Sequence, residues 1–467
     1  MKLRVCIKLS SVLILFMLSS AGCRQESVPY LKVSENKRFL STENGDPFFW
    51  TGDTGWLLFT KLTREETETY LEDRKLKGFN VIQVMVLHSL KNAVNAYGDT
   101  ALVDGKIDQP LTTPGNSFSD PVQYDFWDHV DYVIDLAATK GIYVALVPVW
   151  GSNVRAGLVS REQAEKYASW IADRYHERSN VLWLNGGDTM GSDSTATWNI
   201  IGSAIHKINP LQLITFHPFG RTQSSRWFHK EPWLAFNMFQ SGHRRYDQDT
   251  TGLAYGEDNW KYVNSDYSLS PIKPTIDGEP SYEGIPQGLH DTTQPYWTDN
   301  DVRRYAYWSV FAGGCGFTYG HSSIMQFYKE SDKNPAYGAR EYWYKAINAP
   351  GASQMKYLKQ LMLSKPYFER VPANDLLSSP QGVRYDYIAV TRGNNYLFAY
   401  TWNGSNIALS VDKLPWRRFR ASWFDPRSGE MKTAGIHMNT GPVVFDPPGE
   451  KKNGNDWVLV LESVQSD

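Results

Sequence analysis

The chain has 467 residues, 41% of them hydrophobic, and its 48 basic and 50 acidic side chains leave a formal charge of -2. That length calls for two or three domains with ample cores, and the well-mixed charge excludes a nucleic-acid stripe or a polybasic membrane patch, so no nucleic-acid partner is expected. Aromatic content of 14%, with 17 Trp and 27 Tyr, suits rings that stack on sugar faces, although a β-rich secreted protein has a similar composition.

Lys2, Arg4 and Lys8 form a positive start, and Leu9 to Leu18 form an apolar run too short to span a bilayer as an ordinary helix. Small residues Ser19 to Gly22 then lead into Cys23. The pattern resembles a bacterial lipoprotein signal. It implies that residues 1–23 stay outside the fold, that Cys23 carries lipid, and that the protein is anchored to the outer membrane of a bacterial cell envelope. Of the three cysteines only Cys315 then remains in the folded part, as a small buried hydrophobe, so neither a disulfide framework nor a cysteine zinc site is expected.

After a polar tether, Phe48 to Thr51 read as a first strand ending at Asp53, and Thr63 with Glu66 form a capping box that opens a helix to Lys77. The unit repeats: a β-branched run ends at His88, a helix spans Asp125 to Lys140, a third run ends at Trp150, and a helix covers Arg161 to His176. Val181 to Leu184 form the fourth strand, ending in Asn185, two glycines and Asp188. A helix from Trp198 to Ile208 precedes a fifth strand ending at His217, and a sixth ends near Gln240. Thr275 to Asp277 form the seventh strand, Asp299 to Phe311 a helix, and the eighth strand ends at Tyr319 and His321. Eight strands alternating with helices predict an α/β fold, a (β/α)₈ TIM barrel over residues 30–364, with a doubly wound open sheet as the alternative. The loop from Leu90 to Asp120 is long enough to overhang the barrel mouth.

Following a helix at Ser353 to Ser364, residues 365–467 change character. Short alternating runs separated by Gly-Asn, Asn-Gly, Ser-Gly and Pro-Gly turns predict a small C-terminal antiparallel β-sandwich of about seven strands, packed on the barrel as a structural partner.

Parallel strands present functional groups at their C-terminal ends, where this chain places Asp188 and, just after the seventh strand, Glu279. Hydrolysis of a glycosidic bond needs one carboxyl to protonate the leaving oxygen and another to stabilise or attack the anomeric centre. Asp188 is therefore assigned as general acid/base and Glu279 as nucleophile of a retaining reaction, with Glu283 and Asp277 as competitors for the second role. Asp188 as a helix N-cap and Glu279 as a rim salt-bridge partner are the structural alternatives. Asp53, His88, Trp150, Asn185, His217, Gln240, Tyr319 and His321 all fall at strand ends, where each can line a substrate subsite or serve the fold. His88, His217 and His321 have no HxH or HExxH spacing, and the chain has no P-loop, no GxGxxG after a strand and no GxSxG elbow, so no metal or cofactor is expected.

The segments FWTGDTGW, GFNVIQV, LNGGD, FHPFG, FNMFQSGH and DGEPSYEG together resemble the barrel of glycoside hydrolase family 140, and the C-terminal part resembles the collagen-binding-type β-domain that accompanies it. The resemblance implies an endo-apiosidase-like enzyme acting on the pectin rhamnogalacturonan II, with Asp188 and Glu279 as its carboxylates. A plant cell-wall polysaccharide or oligosaccharide is then the expected substrate, and a monomer the expected state. A barrel glycosidase of another glycan specificity and a non-catalytic glycan- or collagen-binding lipoprotein remain the alternatives.

Overall fold

The computed structural model describes residues 28–249 and 255–464; the signal segment and Cys23 lie outside them. The barrel strands are β1 (Trp50–Thr54), β2 (Val81–Leu87), β3 (Tyr143–Val149), β4 (Val181–Thr189), β5 (Ile214–Pro218), β6 (Asn237–Gln240), β7 (Thr275–Asp277) and β8 (Gly316–Tyr319). Neighbours run parallel, and β8 returns to β1 with Gly316 opposite Trp50. Between β5 and β6 the ladder gives way to two single bonds: Ala235 N donates to Ile214 O at 2.8 Å, and Thr215 Oγ1 to Phe236 O at 2.6 Å. A short strand at Thr222–Gln223 pairs antiparallel with β6 beside this seam.

Alternation along the strands divides the core. Val81, Ala145, Leu182 and Met238 belong to the cluster that fills the barrel, whereas Ile82, Val144, Trp183 and Phe216 pack with the surrounding helices. Those helices start where the capping residues stand. Thr63 Oγ1 accepts from Glu66 N at 3.3 Å while Glu66 Oε2 accepts from Thr63 N at 2.9 Å, and Ser160 with Gln163 repeats the arrangement before Arg161–Tyr175. Each such cap contributes about 1 kcal/mol. The helix Trp260–Tyr267 between β6 and β7 has too few apolar residues to stand out in the sequence. Ahead of β1, a small sheet of Leu31–Val33, Leu40–Thr42 and Pro47–Phe48 packs on the barrel, with Phe48 edge-on to Tyr143 at 5.2 Å.

The C-terminal part differs from an even sandwich. Six strands from Val371 to Ser463 form one antiparallel sheet, while Ile407–Leu409 and Val443–Phe445 form only a two-stranded ribbon. The central strands of the large sheet are buried on both faces, whereas its edge strand Met431–Met438 is largely exposed. One face carries Leu397, Ala399, Leu459 and Leu461 against the ribbon; the other turns Phe398 and Tyr400 to the barrel, where Tyr400 stacks on Tyr307 at 4.7 Å. The barrel helix Asp299–Phe311 thus covers the face of the sheet opposite the ribbon.

A buried ion pair fixes this contact. Arg303, on that helix, grips Asp456 with Nε to Oδ2 at 2.8 Å and Nη2 to Oδ1 at 2.9 Å, and Tyr400 Oη donates to the same carboxylate. Removing one partner of such a pair leaves a buried charge without compensation, at a cost of about 3–5 kcal/mol. Asp456→Ala should lower the unfolding free energy in urea by that amount, and a loss below about 1 kcal/mol would show that the pair does not join the two parts.

Candidate active site

The segment Asn185-Gly186-Gly187-Asp188 does not end β4 but breaks its pairing. Gly186 lies opposite His217 and Thr189 opposite Pro218, so Gly187 and Asp188 are squeezed out of the ladder as a bulge. Three consecutive residues take the left-handed region, with φ of 94° at Gly186, 99° at Gly187 and 53° at Asp188. A β-carbon on Gly186 would stand 2.6 Å from the Phe216 ring, and one on Gly187 2.5 Å from the Trp150 ring. Only glycine fits both, and Asp is among the few residues that tolerate the third position. The bulge turns the Asp188 side chain into the barrel mouth, a recurrent use of bulges beside reactive sites.

Across the mouth, β7 delivers Glu279. Gln83 Nε2 on β2 donates to Gly278 O at 2.8 Å, and Ser241 N and Gly242 N donate to Glu279 O at 3.0 and 3.1 Å, so the backbone is fixed from both sides. His243 accepts from Tyr282 N through Nδ1 at 3.3 Å; its Nε2 therefore carries hydrogen and donates to Glu279 Oε1 at 3.3 Å. His217 Nε2 stands 3.1 Å from Glu279 Oε2, at ion-pair distance but off the line of a hydrogen bond. Tyr282 accepts from Trp56 Nε1 at 3.0 Å and turns its hydroxyl toward Glu279.

The two carboxyls titrate apart. Burial and the Glu279 charge push Asp188 up to about 6, against weaker opposing effects of His217, Gln240 and His243. Burial also acts to raise Glu279, but the flanking imidazoles of His217 and His243 outweigh it and bring it down to about 2. Near pH 5, then, one carboxyl holds a proton and the other a charge.

Both face a cavity of about 280 Å³, walled by Trp56, Trp150, Tyr282 and Tyr337 and edged by His88 and Gln240. Of the strand-end residues, Trp150, His88 and Gln240 line this cavity, and His217 reaches it through Glu279. The structure keeps four others out of this cavity. Asp53 is fully buried behind β1, bonded to Arg74 Nε and to Tyr70 Oη, because the strand twists its carboxylate toward the helix layer. Asn185 donates to Trp198 O at 2.7 Å and so ties β4 to the next helix. Tyr319 donates to Glu283 Oε2 at 2.7 Å, and His321 opens on a separate cavity. The competitors are also placed: Asp277 accepts from Ser241 Oγ at 2.6 Å and Asn259 Nδ2 at 3.0 Å away from the mouth, and Glu283 accepts from Gly351 N at 3.1 Å. Among the described residues no group of three or more His, Cys, Asp or Glu is placed to hold a metal ion.

His243, Tyr282, Trp56 and Tyr337 are the site residues that strand-end reasoning passes over. They stand on loops beyond the strand ends, and only the segments FWTGDTGW, FNMFQSGH and DGEPSYEG, in which Trp56, His243 and Tyr282 sit, carried any signal for them.

A family model described as "Apiosidase-like, catalytic domain" matches residues 34–369, and one described as "Putative collagen-binding domain of a collagenase" matches residues 371–462. No curated protein matches the chain. Among solved structures, one described as a glycoside hydrolase is 45% identical, with a TM-score of 0.88 over 94% of this chain and 98% of that one. A glycoside hydrolase family 5 structure from Bacteroides vulgatus is 41% identical, with a TM-score of 0.87 over 94% and 93%. An endo-beta-1,4-mannanase from Thermotoga petrophila, 14% identical with a TM-score of 0.51 over 90% and 93%, shares the fold alone.

Two stability measurements test the bulge and the acid. Gly187→Ala places its new methyl into the Trp150 ring at a φ of 99°, and should cost about 1–3 kcal/mol in urea unfolding; an unchanged midpoint would contradict the strain. The unfolded chain ionises Asp188 from its ordinary 3.8, whereas the folded chain resists ionisation up to about 6, so ionisation destabilises the fold as pH rises through that window. Asp188→Asn should therefore unfold at a higher temperature than the parent at pH 7.5, with the gain vanishing toward pH 4. A difference independent of pH would remove the basis for a raised Asp188.

Proposed function

The chain belongs to the apiosidase-like glycoside hydrolases, and on that premise we propose that it cleaves apiosyl linkages in the side chains of pectic rhamnogalacturonan II with retention of configuration. Glu279, ionised and held between two imidazoles, attacks the anomeric carbon, while protonated Asp188 gives its proton to the departing oxygen. The glycosyl–Glu279 ester is then opened by a water whose proton Asp188 takes, which restores both groups. Trp56, Trp150 and Tyr337 give the sugar apolar walls, and the small cavity excludes bulk water around the developing charge. The observation that carries the reading is the separation of the two carboxyls, about 6 for Asp188 and about 2 for Glu279, at one cavity. We further place the enzyme on the outer membrane of the bacterial envelope through lipid at Cys23.

Incubation with rhamnogalacturonan II should release apiose-linked oligosaccharides, and Asp188→Asn or Glu279→Gln should lower kcat about 10²–10⁴-fold. No product from the parent, or undiminished product from both variants, defeats the assignment. Because Asp188 must be protonated and Glu279 ionised, kcat/KM should fall as pH rises above about 6, and the limb should disappear in Asp188→Asn. Replacing His243 by Phe should move the acid limb upward from about 2, since one of the groups that hold Glu279 ionised is gone. Proton NMR of the first-formed product reads the anomer directly; an inverted anomer excludes the covalent intermediate.

A further inference from the structure

A second cavity of about 270 Å³ adjoins the first, and the same strips of chain line both. In the loop after β7, Tyr282 and Ile285 face the active-site cavity while Glu283 and Gly284 face the second; after β8, Met325 and Gln326 face the first and Ser322 and Ser323 the second. One thickness of chain separates them. Glu283 and His321 lie side by side in a parallel bridge that prolongs the pairing of β7 and β8, and both are almost wholly buried, at 7% and 4% exposure.

Glu283 on its own would be read as the cap of the helix Pro350–Leu363, since its Oε2 accepts from Gly351 N. His321 has no such explanation. Its Nδ1 accepts from Ser323 N at 3.1 Å, so Nε2 is the protonated nitrogen, and the carboxylate oxygen nearest to it, Glu341 Oε1, is 3.9 Å away, beyond hydrogen-bond reach. A ring N–H thus faces the cavity with no acceptor among the described residues within hydrogen-bond reach.

We propose that this second cavity is an accessory subsite for a neutral, hydroxyl-rich sugar unit of the same branched substrate, recognised by His321 and Glu283 at its floor and by Arg340 and Glu341 at its rim. Donors and acceptors of both kinds converge there, which is what a ring of hydroxyls requires and an apolar ligand does not. The rim charges of Arg340 and Glu341 oppose each other. Burial holds His321 uncharged, down at about 3, and raises Glu283 to about 7, so no surplus positive charge would favour a uronate. Trp297 walls this cavity and donates through Nε1 to His243 O at 3.2 Å, and His243 in turn donates to Glu279. An occupant would therefore lie two residues from the nucleophile, and would anchor the substrate rather than react.

The subsite rests on the glycosidase reading for its role but not for its existence, so two measurements separate them. Saturation-transfer NMR on the full chain carrying Asp188→Asn and Glu279→Gln, with L-rhamnose, L-arabinose, D-galactose and D-galacturonate as probes, should show saturable millimolar binding of at least one neutral sugar. Adding His321→Gln or Arg340→Ala should weaken it at least 10-fold; Arg340 is exposed at the rim, so its replacement spares the fold. In the active enzyme the same substitutions should raise KM for rhamnogalacturonan II oligosaccharides about 10-fold and leave kcat within 2-fold. Binding of none of the neutral sugars, binding indifferent to both substitutions, or a preference for galacturonate overturns the subsite. Failure to cleave rhamnogalacturonan II, with neutral-sugar binding intact, overturns the substrate and leaves the subsite standing.

Discussion

Everything at the mouth of this barrel depends on keeping one buried carboxylate charged. Glu279 is nearly enclosed, and an unpaired charge there would carry a desolvation cost of several kcal/mol. Two imidazoles flank the carboxylate, His243 by a hydrogen bond and His217 with Nε2 at 3.1 Å from Oε2. The surrounding structure serves to keep those imidazoles in place: Tyr282 N fixes the tautomer of His243, Trp297 holds its backbone, and Trp56 stands edge-on to His217 at 5.2 Å. Burial and, after it, the ionised Glu279 then raise Asp188, so that the state of one group bears on the other.

Backbone geometry makes that arrangement possible. A regular β4 would carry Asp188 along the ladder with its neighbours; the bulge at Gly186 and Gly187 rotates it into the cavity at the expense of three left-handed residues. Leu289 and Tyr337, also at positive φ, line the same cavity. Strain of this kind persists only where packing around it is tight. The second cavity, one chain thickness away, shares these loops and links to Glu279 through Trp297 and His243.

The C-terminal sheet is part of the same construction. Its Phe398 and Tyr400 belong to the hydrophobic cluster that contains the barrel interior, and Arg303 to Asp456 ties the two parts with a bidentate contact. The Arg303 helix starts at Asp299, beside Thr298 in the wall of the second cavity, so the sheet also steadies the loops that shape that cavity.

The sequence by itself determined the order of elements and singled out Asp188 and Glu279, which the fold brings to one cavity. Buried parallel strands read as short apolar runs whatever surrounds them, capping pairs such as Thr63 with Glu66 act within one turn of helix, and paired glycines before Asp188 mark a backbone that only glycine can adopt. Tertiary structure decided what faces what. Period-two alternation places a residue on a strand but not on a particular side of a twisted, closing sheet, so Asp53 and Asn185, alike in sequence to cavity residues, turn to the helices. His243, Tyr282 and Trp56 enter the site from loops whose course is set by long-range contacts, such as Trp56 to Tyr282 across 226 positions. The C-terminal sheet has the same origin: local pattern specifies strands, and only packing shows that one face of the sheet meets a small ribbon and the other a helix of the barrel.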